Sequence, residues 1–144
     1  MATVGTGVPA SSAGQRLRDF AQRNYLAILA TIYPSGGPQA LPVWYEYDGA
    51  VFSISTDVAA VKVRNIQSNP QVALCITDTT RNIRSLTVRG RAEIITDNEV
   101  AHQLNRRLSV RYLGEDEGRE WADSLADDEL VVLRIIPERF IWTG

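Results

Sequence analysis

Ser53-Ile54-Ser55-Thr56-Asp57-Val58-Ala59-Ala60-Val61-Lys62-Val63-Arg64-Asn65-Ile66 changes its period halfway along. Ser53 to Thr56 alternates polar and apolar residues as a strand does, whereas from Val58 the apolar residues recur through Val61, Val63 and Ile66 at helical spacing. A strand is therefore expected to run directly into a helix, with hydroxyls and one carboxylate at the junction. The first backbone N–H groups of a helix lack internal partners and carry the positive end of its dipole. Such a junction suits a phosphate, with Lys62 one turn in. A ligand-free surface helix capped by Thr56 or Asp57 accounts for the same residues, and both readings stand at this point.

Upstream, Gln15 to Asn24 carries Leu17, Phe20 and Ala21 on one face and predicts a short amphipathic helix started by Ser11 or Ser12. Tyr25 to Tyr33 and Gln39 to Tyr47 flank the turn signal Pro34-Ser35-Gly36-Gly37 and predict a hairpin. In its second strand Leu41, Val43, Tyr45 and Tyr47 share one face and Ala40, Pro42, Trp44 and Glu46 the other. Pro42 cannot donate to a ladder and suggests an edge or a bulge. After the tight turn Asp48-Gly49, a third strand over Ala50 to Thr56 leads into the opening stretch.

Downstream, Asn69-Pro70 stops the helix and Gln71 to Asp78 alternates as a fourth strand. Ile83 to Thr96 is long for one strand, and Gly90 in its middle marks a bend or bulge. Asp97 to Tyr112 predicts a helix with the stripe Ala101, Leu104, Leu108 and Tyr112, capped by Asp97 and ended by Gly114. Glu115 to Ala126 predicts a further short helix, Glu129 to Ile136 a sixth strand, and Pro137 to Trp142 an apolar-aromatic tail. Six strands among three to four helices read as α+β with an antiparallel sheet, and long bent strands suit a small barrel.

At 144 residues and 44% hydrophobic content the chain has the size of one domain, expected to bury roughly 70% of its unfolded surface. That domain spans residues 15–144, and the Gly-, Ala- and Ser-rich residues 1–14 read as a flexible tail without signal-peptide character. Fifteen basic and seventeen acidic residues give a net charge of −2. This argues against nucleic acid or an anionic membrane as partner and leaves a small molecule or another protein chain. No stretch approaches the about eighteen apolar residues of a membrane span. The lone Cys75 can form no internal disulfide and supplies no zinc spacing, which fits a reducing cytoplasmic setting.

Few residues suggest chemistry outright. Lys62 can complete a phosphate site as a point charge, while Arg64, roughly 200° around the helix, cannot point at the same group. Asp57 opposes an anion there. Trp44, Tyr45 and Tyr47 can flank a planar ring or simply pack, and Trp142 has the same two readings. His102 has no second histidine with which to build a metal site, Cys75 reads as a buried structural thiol, and the acidic residues from Glu115 to Glu129 read as a solvated face. No metal site, Rossmann fingerprint or P-loop is expected.

Taken in order, several short motifs carry a resemblance. They are Leu29-Ala30-Thr31 before the Pro-Ser-Gly-Gly turn, Pro42-Val43-Trp44, Ser55-Thr56, Lys62-Val63-Arg64-Asn65-Ile66, Asn69-Pro70 with Val72-Ala73-Leu74, Val88-Arg89-Gly90-Arg91-Ala92, and Arg111-Tyr112-Leu113-Gly114. From about Leu17 to Trp142 the chain resembles the pyridoxamine 5′-phosphate oxidase-like split β-barrel flavin and deazaflavin oxidoreductases, especially the actinobacterial branch that uses coenzyme F420. The resemblance implies a six-stranded antiparallel split β-barrel, assembled as a homodimer with cofactor sites at the interface. It implies an oxidoreductase in which F420 carries hydride to a small conjugated organic substrate. An FMN-dependent oxidoreductase and a non-catalytic flavin- or haem-binding barrel are its alternatives. Carried onto this chain, Pro42, Val43 and Trp44 would line the ring, Ser55, Thr56 and Lys62 would hold the ribityl-phosphate end, Asn65 would fix the helix, and Trp142 would reach in from the partner chain. No catalytic residue is assigned, although the Tyr45 phenol is a candidate proton donor. Ala60 and Val61 depart from the pattern, because members often carry arginine there, which leaves charge to come from elsewhere, such as Arg81 or Arg84.

Overall fold

Every second residue from Ala27 to Thr31, and from Val72 to Asp78, is buried while the intervening ones are half-exposed. This is the signature of strands covering a core on one face only. The computed structural model describes residues 2–5, 12–78, 80 and 84–143. A short strand β1 (Ala2–Gly5) precedes helix α1 (Ser12–Ala21), and the hairpin β2 (Leu26–Ile32) and β3 (Pro38–Val43) follows. A two-residue strand β4 (Glu46–Tyr47) pairs with β5 (Phe52–Asp57), which leads into α2 (Val61–Ser68). Then come β6 (Gln71–Asp78), β7 (Arg84–Ile95), the helices α3 (Asn98–Leu113) and α4 (Glu115–Ser124), and β8 (Leu130–Thr143). All pairings are antiparallel, in the order β3-β2-β6-β7-β8-β5-β4, with β1 added to β8.

The two ends of that order are successive in the chain. Only Trp44 and Tyr45 separate β3 from β4, and three Cα steps span at most about 11 Å. The opposite edges of the sheet are thereby held together, and the sheet must curl into the expected split barrel. Its interior holds Tyr45, Phe52, Ile54, Leu74, Leu86, Val88 and Leu133, with Val63 and Ile66 of α2 contributing to the same core. A second, smaller core forms where Ala101, Leu104 and Leu108 of α3 meet Leu130 and Val132 of β8.

Eight strands replace the six expected. β1 was read as part of the tail, and Gln39 to Tyr47 divides into β3 and β4 because its ladder partner changes from β2 to β5. The expected tail Pro137 to Trp142 is the second half of β8. A bulge makes this continuity possible. Arg89 faces Arg139 but Gly90 faces Pro137, so Glu138 is the extra residue and Pro137 sits where regular pairing lapses. Gly90 is the only residue type that fits, since a Cβ there would lie 2.2 Å from the Ile136 carbonyl oxygen. The strand start expected at Ile83 falls outside the described residues.

Two further expectations change. Cys75 lies on the half-exposed face of β6, with its sulfur 3.7 Å from the Thr77 hydroxyl. The helix of the opening stretch starts at Val61 and not Val58, because Val58 donates its N–H to Glu129 and the Asp57 carboxylate accepts from the Ala59 N–H, forming a turn.

Gly90→Ala is expected to destabilise the fold by about 1–3 kcal/mol through overpacking at the bulge, measured by urea denaturation. A second prediction concerns Asp78, buried at the end of β6. The Arg84 guanidinium and the Thr80 N–H and hydroxyl hold its carboxyl well below the usual carboxylate range. A depressed folded-state value means that the stabilisation is complete above the unfolded value, about 3.9, and is lost as the pH falls below it. Asp78→Asn should therefore lower the urea midpoint at pH 7, and the gap to wild type should narrow below about pH 4. A gap that stayed constant down to pH 2.5 would show that the carboxylate charge contributes nothing.

Candidate functional site

The strand-to-helix junction is built from β5, a four-residue turn and α2. Ser55 and Thr56 pair with Val132 and Val131 of β8. The Ser55 hydroxyl donates to the Ala101 carbonyl at 2.9 Å and ties β5 to the first turns of α3. At the start of α2 the residue in the capping position is Ala60, extended at φ −61° and ψ 146°, and no side chain caps the helix. Neither Thr56 nor Asp57 performs the capping expected of it. The contrast with α3 is direct, because there the Asp97 carboxylate accepts from the Glu99 and Val100 N–H groups.

Lys62 occupies the second position of α2. It is half-buried, and loss of water around its ammonium lowers its pKa from the ordinary lysine value. Among the described residues it forms no salt bridge. Three residues on, the buried Asn65 donates from Nδ2 to the Thr31 hydroxyl at 3.0 Å, and Thr31 donates to Gln39 Oε1 at 3.3 Å. Asn65 thus fastens α2 to β2 and β3. Arg64 is exposed, on a different side of α2 from Lys62.

The expected ring-lining residues diverge. Val43 points into the core at 8% exposure, and Pro42 lies on the outer face of the sheet opposite Ile28. Trp44 turns to α3 and stacks on Tyr112, with ring centroids 5.4 Å apart and planes 8° from parallel. It joins the second core formed by α3 and β8, whereas Ser55 bonds α3 eleven residues before Tyr112, at Ala101. One protomer therefore places Trp44 and Ser55 on the α3 side and Lys62 and Asn65 on α2, while Thr56, next along β5, alternates to the other face. Pro42 faces elsewhere.

Within one protomer Trp142 is remote from this group. It lies eleven residues beyond Val131 on β8, roughly 36 Å of extended chain. Its ring meets Phe20 edge-on at 4.8 Å. There it lines a cleft of about 390 Å³ between α1 and the starts of β2 and β7. Arg84, one of the two expected substitute cations, borders that cleft, and the other, Arg81, falls outside the described residues.

The geometry removes two candidates and adds two. The Tyr45 hydroxyl is buried and donates toward the carbonyls of Ala21 and Arg23, each at 2.8 Å. Burial pushes this phenol far above the ordinary tyrosine value, so it is a structural tie and not a proton donor. His102 bonds through Nε2 to the Asp128 carbonyl at 2.8 Å and belongs to the α3–β8 packing. The residues sequence reasoning passed over are Arg111 and Tyr112. Arg111 lies 5.6 Å from the Tyr45 ring centre and donates to the Gln22 carbonyl, and Tyr112 donates to the Tyr25 carbonyl. The motif Arg111 to Gly114 is visible in the sequence, but nothing local marks it as the lock joining α3 to the end of α1.

Comparisons with known proteins agree with this architecture. The chain matches the pyridoxamine 5′-phosphate oxidase family over residues 13–142. Among solved structures it is similar to the conserved hypothetical protein Rv2991 from Mycobacterium tuberculosis, at 28% identity and a TM-score of 0.75, covering 94% of this chain and 86% of that one. It is similar to an F420 reductase at 30% identity and a TM-score of 0.68, covering 85% of this chain and 94% of that one. HutZ, the haem storage protein from Vibrio cholerae, shares the fold at 21% identity and a TM-score of 0.68, over 89% of this chain and 93% of its own. No curated protein matches. A match over nearly the whole length, on an eight-stranded curled sheet joined through Trp44 and Tyr45, places this chain in the pyridoxamine 5′-phosphate oxidase family.

Proposed function

We propose that the protein is a homodimeric, cytoplasmic oxidoreductase that uses the deazaflavin coenzyme F420 to reduce a small conjugated organic substrate. The observation that carries this reading is Lys62, a half-buried ammonium with no carboxylate partner among the described residues, set in the first turn of a helix without a side-chain cap. A desolvated cation beside unpaired N–H groups is suited to a phosphate. The donor set fits in part. Lys62 and the first N–H groups of α2 are available. The Ser55 hydroxyl hydrogen is already directed at Ala101. Asp57 contributes a nearby negative charge, partly absorbed by its bond from the Ala59 N–H.

When bound, the coenzyme supplies the hydride, and the chain's own residues hold and orient it. Lys62 and the α2 N-terminus would bind the phosphate end, Asn65 would keep α2 in place, and the Trp44 ring, backed by Tyr112, would limit one side of the ring site. The 30% identity to an F420 reductase over most of both chains favours F420 over FMN.

The homodimer is supported by a row of exposed and half-exposed residues crossing five strands. Pro42, Ile28, Cys75, Thr87 and Ile141 are successive cross-strand neighbours on the outer face. Leu26 stands on the same face at 55% exposure. Contiguous apolar surface of this kind is commonly covered by a second protein surface, and a second copy placed here would bring Pro42 and the partner's site residues to one interface.

Titration with F420 should quench its fluorescence saturably, with FMN binding more weakly. Lys62→Ala should weaken F420 binding by about one to two decades, the loss of a charged hydrogen-bond donor, while sedimentation still reports a dimer. Absence of F420 binding alongside tight FMN binding would reassign the cofactor. Unchanged F420 affinity in the variant would return Lys62 to an ordinary surface role.

A further inference from the structure

The cleft beneath α1 is not used by the reading above. Its floor is aromatic. Phe20 contacts Tyr25 at 4.8 Å between centroids, tilted by 47°, and Trp142 at 4.8 Å edge-on. Its rim is cationic, formed by Arg16, Arg23 and Arg84, with Asp19 the one carboxylate that lines it.

The charges are unevenly satisfied. Arg84 is engaged by Asp78 and lies 5.6 Å from the Phe20 ring centre. Asp19 accepts from Gln15 Nε2 at 2.7 Å. Arg16 and Arg23 have no ion-pair partner among the described residues. Arg16 lies on α1 and Arg23 two residues past its end, and both are exposed and line the cleft beside Phe20. The lining therefore carries a local surplus of positive charge in a chain whose net charge is −2. The carbonyls at the end of α1, which would repel an anion, are already engaged. Ala21 and Arg23 accept from the Tyr45 hydroxyl, and Gln22 accepts from Arg111.

We propose that this cleft is a binding site for a planar aromatic carboxylate, with the ring system against Phe20, Tyr25 and Trp142 and the carboxylate held by Arg16 and Arg23. Aromatic walls accept a flat ring by edge or offset contacts. Guanidinium forks match the two oxygens of a carboxylate better than an ammonium does. A cleft of about 390 Å³ suits a bicyclic ligand. Within one protomer the cleft is separate from Lys62, since its residues lie at the opposite end of β8.

Isothermal titration of the full chain with 2-naphthoate, and with neutral 2-naphthamide of the same shape, tests this. Naphthoate should bind at one site per chain, and the amide at least about tenfold more weakly. The exposed pair Arg16→Gln/Arg23→Gln should reduce naphthoate affinity about tenfold and leave the amide unchanged. Trp142→Leu, checked for folding by circular dichroism, should weaken both ligands. Lys62→Ala should leave naphthoate binding unaltered, which separates this cleft from the phosphate site. Equal affinity for acid and amide, full affinity in the arginine pair, no binding of naphthoate at millimolar concentration, or loss of binding in Lys62→Ala would each overturn the proposal.

Discussion

The rest of the molecule depends on the two-residue link between β3 and β4. Because Trp44 and Tyr45 alone join the opposite edges of the sheet, the curl is enforced by covalent reach before any side chain packs. Tyr45 then converts a link into an anchor. Its ring is fully buried against Phe52, and its hydroxyl reaches carbonyls at the end of α1. A buried hydroxyl without partners would cost about 1–3 kcal/mol, so the position of α1 is coupled to closure of the barrel. Arg111 extends the coupling to α3 by lying over the same ring while bonding to Gln22.

The same link decides how the candidate site is divided. In an extended strand successive side chains point to opposite faces, so Pro42 and Val43 cannot line one ring from one side. Val43 serves the core and Pro42 the outer face, while Trp44, just past the ladder, swings to Tyr112. Residues that are neighbours in a motif are thus dispersed over three environments. A motif of this kind makes functional sense when a second surface supplies what one face lacks, and the row from Pro42 to Ile141 is where such a surface would fit.

Much of the fold was legible because period and punctuation are local. The alternation of β5 and β6, the apolar run of β2 ended by its turn signal, the stripe of α3 with Asp97 as its cap and Gly114 at its end, and the bend at Gly90 all follow from residues within a few positions of one another. What escaped was non-local. Burial continues to alternate through Val43, Tyr45 and Tyr47 although the pairing partner changes beneath them, because periodicity reports faces and not partners. Pro137 read as a stop, since its tolerance depends on a bulge created by Gly90 on another strand. β1 is four residues long and too short to show a period. At the junction, the apolar Val58 imitated a helix start, while its N–H was committed to Glu129, more than seventy positions away.

Ala60 and Val61 sharpen what Lys62 has to do. Neither can cap the helix nor carry charge, so the ammonium of Lys62 is the first basic group of α2, with Arg64 on a different side. A lysine held half-desolvated without a partner is less stable than one in water, and nothing among the described residues offsets that cost. α3 shows what the chain does with a helix start that needs only stability, since Asp97 there satisfies two N–H groups. At α2 the carboxylate is displaced to the preceding turn, bonded to Ala59, and the helix start is left to a cation. That arrangement is unfavourable for an empty helix and favourable for one that meets an anion. On the proposed reading, a bound phosphate would offset the cost of leaving Lys62 unpaired.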